Sequence, residues 1–155
     1  MLYPMGFHIT WGTYGTRLHG SSKPHVDHDH NEYGSSLPPS DPHREGESRD
    51  RMKSDPVYLT PEQRKLVEEA IREIAKKYAW TIHAVAVQRD HVHVVLTAMR
   101  EGEKLRDALK AVASRALNKQ FGEKIWWAEK GSAKYLWERD YFHNAVKYVS
   151  DQRDF

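Results

Sequence analysis

Apolar and polar positions along this chain change rhythm several times, and each change marks an element. Phe7 to Tyr14 is dense in β-branched and aromatic residues and reads as a strand. Thr60-Pro61-Glu62-Gln63 opens a helix: Thr60 can cap it, Pro61 suits its first position, and Gln63 can close a capping box. Val67, Ala70, Ile71, Ile74 and Tyr78 then recur at helical spacing. Thr81 to Val87 and His91 to Ala98 are β-rich runs parted only by Gln88-Arg89-Asp90, which predicts an antiparallel hairpin. A second amphipathic helix is expected from about Glu103 to Phe121, with Leu105, Leu109, Val112 and Ala116 along one side and Gly122 as its stop. Tyr135-Leu136-Trp137 is a short strand, and Asp140 can cap a last helix running to about Gln152.

The order is strand, helix, strand, strand, helix, strand, helix. Its first six members match a ferredoxin-like split βαβ arrangement, an α+β fold with an antiparallel sheet and two helices on one face. The seventh is an additional C-terminal helix. Between the first strand and the first helix, Gly20 to Pro56 is crowded with Ser, Pro, His, Asp, Glu and Arg and nearly empty of aliphatic residues. Such a segment cannot bury enough apolar area to offset its ordering entropy, so a flexible insertion is expected at about 20–56.

Composition narrows the function classes. A chain of 155 residues suits one domain, taken here as 1–155. The absence of cysteine excludes disulfides and thiolate metal sites. No apolar run is long enough to span a bilayer, so no membrane association is expected. Met1 to Gly6 lacks the basic start and apolar core of a signal peptide, and a cytoplasmic location is the expectation. The net charge of +2 does not announce a nucleic-acid binder, so any basic footprint must come from clustering. Lys104, Arg106, Lys110, Arg115 and Lys119 decorate the second long helix and can line a DNA-facing groove, although Glu103 and Asp107 are interspersed. Trp126, Trp127 and Trp137 suit base stacking or core packing, and for Trp137, set in a strand, core packing is favoured.

The chemistry-bearing residues lie at two places. In His91-Val92-His93 both imidazoles project to one face of a strand, while Val92, Val94 and Leu96 project to the other. Two imidazoles so placed can bind one divalent ion. On the last helix Tyr148 and Gln152 are one turn apart and share a face. A tyrosine hydroxyl can attack phosphorus, and an amide oxygen can complete a metal site built on imidazoles. Neither motif is specific alone; the combination is. Two other groups are weaker. His8-Ile9-Thr10 would need a second His-x-Thr/Ser copy to suggest a 2H-type phosphoesterase, and His91-Val92-His93 lacks the hydroxyl. His25, His28 and His30 sit in the insertion, where nothing fixes a metal geometry.

These features resemble the single-tyrosine HUH transposases, and in particular their REP-associated tyrosine transposase branch. The matching stretches are Thr10 to Thr16, Leu59 to Arg64, Asp90 to Val95, Trp126-Trp127, Gly131 to Trp137 and Ala145 to Val149. The resemblance implies a ferredoxin-like catalytic domain with its tyrosine helix beside the histidine face. It implies that His91 and His93 ligate the metal, that Gln152 is the third polar ligand, and that Tyr148 is the nucleophile. Its expected cofactor is divalent, Mg²⁺ or Mn²⁺, with mixed N/O ligation better suited to Mn²⁺. The expected reaction is cleavage and rejoining of single-stranded or hairpin DNA through a 5′-phosphotyrosine. A domesticated relative that binds such DNA hairpins without turnover is the alternative, and a homodimer whose last helix serves the partner's histidines stays open.

Overall fold

The structure, a computed structural model, describes residues 2–16 and 55–153. The expected insertion at about 20–56, with His25, His28 and His30, therefore lies almost wholly outside the described residues. Within them run β1 (Gly6–Gly12), α1 (Pro61–Lys77), β2 (Thr81–Val87), β3 (His91–Thr97), α2 (Gly102–Phe121), β4 (Ser132–Leu136) and α3 (Arg139–Gln152). The strands form one sheet in the order β2-β3-β1-β4, every neighbouring pair antiparallel. That is the ferredoxin-like arrangement the element order predicts, with α3 added.

Alternation along the strands gives the sheet two unlike faces. Phe7, Ile9, Trp11, Val85, Val87, Val92, Val94 and Leu96 point to one face and join the main core with Val67 and Ile71 of α1 and Leu105, Leu109, Ala113 and Leu117 of α2. The other face carries Ala84, Ala86 and Val95, on which α3 lays Phe142 and Val149, with Leu136 alongside. The α1 start is as expected: Thr60 accepts from the Gln63 amide at 3.2 Å and the Gln63 side chain accepts from the Thr60 amide at 2.9 Å. Gly122 ends α2 at φ 92°, a conformation that favours glycine.

Four local expectations change. The apolar edge of α2 follows steps of four, Leu105-Leu109-Ala113-Leu117, and Val112 and Ala116 are only half-buried at its flanks. Glu138, not Asp140, is the N-cap of α3, without a side-chain bond, and Asp140 falls in the first turn. The fourth strand is Ser132–Leu136, so Trp137 lies beyond it and is 55% exposed, stacked on Tyr135 at 6.3 Å. Trp126 and Trp127 are instead buried, their indole N–H groups donating to Asn118 Oδ1 at 2.7 Å and to the Lys110 carbonyl at 3.0 Å. Their rings are thus closed to base stacking, and Trp137 is the open one.

Candidate active site

The second sheet face is apolar under α3 and polar beside it. Strand pairing sets Thr10 opposite His93 and Gly12 opposite His91 on one side of β1, and His8 opposite Lys134 and Thr10 opposite Ser132 on the other. Because the period is two, His8, Thr10, His91, His93, Ser132 and Lys134 all emerge on this one face. The rings of His91 and His93 are 4.8 Å apart and edge-to-face.

Each imidazole has its own support. Asp90 Oδ1 lies 2.7 Å from His91 Nδ1, the carboxylate–histidine pairing that fixes a tautomer and turns Nε2 outward. His93 is not the half-exposed residue that a strand start suggests: it is 7% exposed. Its Nδ1 lies 3.2 Å from His8 Nε2 and 3.2 Å from Thr10 Oγ1, and Thr10 Oγ1 is 3.4 Å from His8 Nε2. Burial, and after it the charge of Lys134, pushes the His8 imidazole from its ordinary 6.5 down to about 4. A neutral His8 can accept a hydrogen bond from His93 Nδ1–H, and that tautomer presents His93 Nε2 as the ligating nitrogen.

α3 supplies the rest. The Tyr148 ring lies 5.7 Å from that of His93 and 6.2 Å from that of His8, and Tyr148 is half exposed. Tyr141, also on α3, is 63% exposed. Gln152 is docked on the β2–β3 turn: Gln88 Nε2 donates to the Gln152 carbonyl at 2.9 Å and to its Oε1 at 3.2 Å. Beyond it, Arg153 forms an ion pair with Glu68 of α1 at 2.8 Å and donates to the Val85 carbonyl at 3.4 Å. The end of α3 is therefore tied to the sheet beside the site.

Among the described residues, no cluster of three or more His, Cys, Asp or Glu side chains is arranged to hold a metal ion. The donors still suit one. Two imidazoles share a strand face, one with a carboxylate behind it and the other with a neutral imidazole behind it, and Oε1 of Gln152 keeps a second lone pair beyond its bond to Gln88.

The structure does not bring the basic helix to this face. α2 packs on the opposite side of the sheet. Lys104, Arg115 and Lys119 are exposed there. Lys110 Nζ donates to the carbonyls of Ala128 at 2.9 Å and Lys130 at 2.7 Å, and Arg106 reaches the Gly131 carbonyl at 3.3 Å and Asp107 at 3.0 Å. Burial and then the Arg106 charge lower the pKa of Lys110. These two cations hold the loop ahead of β4. Sequence reasoning weighed His8-Ile9-Thr10 only as half of a 2H-type pair and set it aside; the signal for their place here was their i, i+2 spacing on a strand that the fold class places beside β3.

A family model described as "Transposase IS200 like" matches residues 51–153. Among solved structures, a REP-associated tyrosine transposase bound to a REP hairpin is 13% identical at a TM-score of 0.57, with 96% of this chain and 66% of that one covered. This chain thus spans a little under two thirds of that protein. A transposase candidate from Deinococcus radiodurans R1 is 16% identical at a TM-score of 0.53, with 100% of this chain and 95% of that one covered. No curated protein matches the chain in sequence.

Proposed function

This chain belongs to the IS200-like transposase family, and from that premise we propose that it cleaves and rejoins DNA strands with Tyr148 as nucleophile. The observation that carries this reading is the Tyr148 ring 5.7 Å from His93, on the sheet face that His91 shares. In the cleavage step the Tyr148 phenolic oxygen attacks the phosphorus and its proton is lost. A Tyr–O–P bond replaces the P–O3′ bond, and the leaving oxygen is protonated to a 3′-hydroxyl. The product is a 5′-phosphotyrosine, and attack on it by another 3′-hydroxyl restores a phosphodiester, so one site serves both directions. A divalent ion, Mn²⁺ or Mg²⁺, held by His91, His93 and Gln152 would supply Lewis-acid polarisation of the phosphate.

The roles of the protein groups follow from their contacts. Asp90 orients His91, and His8 with Thr10 orients His93. Gln88 and Arg153 hold the end of α3, and thereby the direction from which Tyr148 approaches. The proposed substrate is single-stranded DNA or a hairpin with a single-stranded flank; a REP hairpin is what the solved REP-associated transposase holds. Lys104, Arg115 and Lys119 would touch phosphates away from the cleavage point, whereas Arg106 and Lys110 serve the protein itself.

The test is incubation with an end-labelled single strand and Mn²⁺, followed by SDS electrophoresis. An adduct that survives SDS, absent in Tyr148→Phe and placed by mass spectrometry on the Tyr148 peptide, is the expected result. An adduct on Tyr141, or cleavage by Tyr148→Phe, would falsify the assignment. DNA binding without any adduct would instead support a non-catalytic hairpin binder.

A further inference from the structure

The polar face continues past the histidines to β4, and the residue there has no role in the chemistry so far. Lys134 is the cross-strand partner of His8 in the β1–β4 register, so both side chains leave the same side of the sheet. It is exposed. Among the described residues no carboxylate pairs with it, whereas Lys104 and Lys147 have Glu101 at 3.9 Å and Asp151 at 3.8 Å. Gly131 fixes where β4 begins. Its φ is +128°, and a Cβ there would come within 2.5 Å of the Thr10 carbonyl oxygen, so the chain enters β4 tight against β1.

The groups therefore span the face in sequence: Tyr148 on α3, His93 on β3, His8 on β1, Lys134 on β4. α3 covers Ala84, Ala86 and Val95, leaving half-exposed His8 and exposed Lys134 beside it. A phosphodiester offered to Tyr148 would lie over the histidines, with Lys134 on the far flank. A cation without a carboxylate partner among the described residues, on a flexible four-carbon stem, is suited to a non-bridging phosphate oxygen, whose charge must be balanced as the phenolate oxygen approaches.

We propose that Lys134 is the phosphate-binding cation of this site, contacting a non-bridging oxygen of the phosphodiester that Tyr148 attacks. This rests on the proposed strand-cleavage reading and adds a residue to it. The alternative is a solvated edge-strand lysine, and the two differ in what Lys134→Gln does.

The measurements are the initial rate of SDS-stable adduct with a labelled single strand in Mn²⁺, and the slope of log affinity against log salt for the same strand without metal. Lys134→Gln should slow the adduct about tenfold to a hundredfold. It should also make the salt slope shallower by roughly 0.7, the loss of one phosphate contact on a single strand. Lys134→Arg, which keeps the charge, should stay within about threefold of wild type. Lys65→Gln, an exposed charge on α1, is the control and should change neither. A Lys134→Gln protein with wild-type rate and slope overturns the assignment while the cleavage reading stands. If wild type binds the strand without forming an adduct, the slope alone decides, and an unchanged slope overturns the assignment. If wild type neither binds nor cleaves, the cleavage reading falls and Lys134 falls with it.

Discussion

His93 and His91 occupy the same strand face but answer to different neighbours. His91 sits at the rim, with Asp90 as its partner. His93 is buried against His8 and Thr10, so truncating it leaves two polar groups without that contact. His91→Ala should therefore weaken Mn²⁺ binding, read by calorimetric titration, while changing the unfolding free energy by less than about 0.5 kcal/mol. His93→Ala should weaken it as well and cost about 1–3 kcal/mol of stability in urea titration. Equal stability losses in the two variants would contradict this difference. His8 adds a pH dependence. Its folded pKa of about 4 lies below the ordinary 6.5, so the unfolded chain takes up the proton first as pH falls. For the metal-free protein, stability from this group is complete above about 6.5 and drains away as pH drops towards 4. The total is on the order of 3 kcal/mol. In His8→Gln that part of the decline should vanish from urea midpoints taken between these two pH values.

At the scale of elements, what the sequence made legible depended on how local the cause was. The Thr60–Gln63 capping box, the hairpin around Gln88-Arg89-Asp90 and the Gly122 stop are each set by a few adjacent residues, and each is where the pattern puts it. The fate of the tryptophans is set by tertiary partners: Asn118 and the Lys110 carbonyl draw Trp126 and Trp127 inward, and no local rhythm encodes that. The same holds for Lys110 and Arg106, which look like a basic face along the helix but point at carbonyls some twenty residues on. It holds also for the end of α3. There Gln88 and Arg153 fasten the last turn. Arg153→Ala removes an ion pair with the buried Glu68 carboxylate, which keeps Arg72 at 3.0 Å. We expect a stability loss of roughly 1 kcal/mol and a several-fold slower Tyr148 adduct, with Mn²⁺ affinity little changed. A large loss of Mn²⁺ affinity would mean that Arg153 serves the ligands and not the helix.

For the whole molecule, the ferredoxin-like topology was readable from element order alone, because only a few connections of strand, helix and hairpin close an antiparallel sheet with short links. The membership of the proposed site was half readable. Tyr148, His91, His93 and Gln152 stand in recognisable local patterns, whereas His8, Thr10 and Lys134 are gathered only by the β1 pairings on either side. The two faces of the sheet also differ in how much they hold. The α1–α2 side joins large residues from three strands and two helices, among them Phe7, Trp11, Ile71, Leu105 and Leu117. The α3 side is held by Ala84, Ala86, Val95, Leu136, Phe142 and Val149, two of them alanines. Burial of so little apolar surface gives α3 a lower opening free energy than the sheet. In native-state hydrogen exchange its amides should exchange as a separate unit, well before those of β1 and β3. The helix that carries the tyrosine is then a latch on a stable frame: it can lift and reseat many times while the histidines beneath it keep their places.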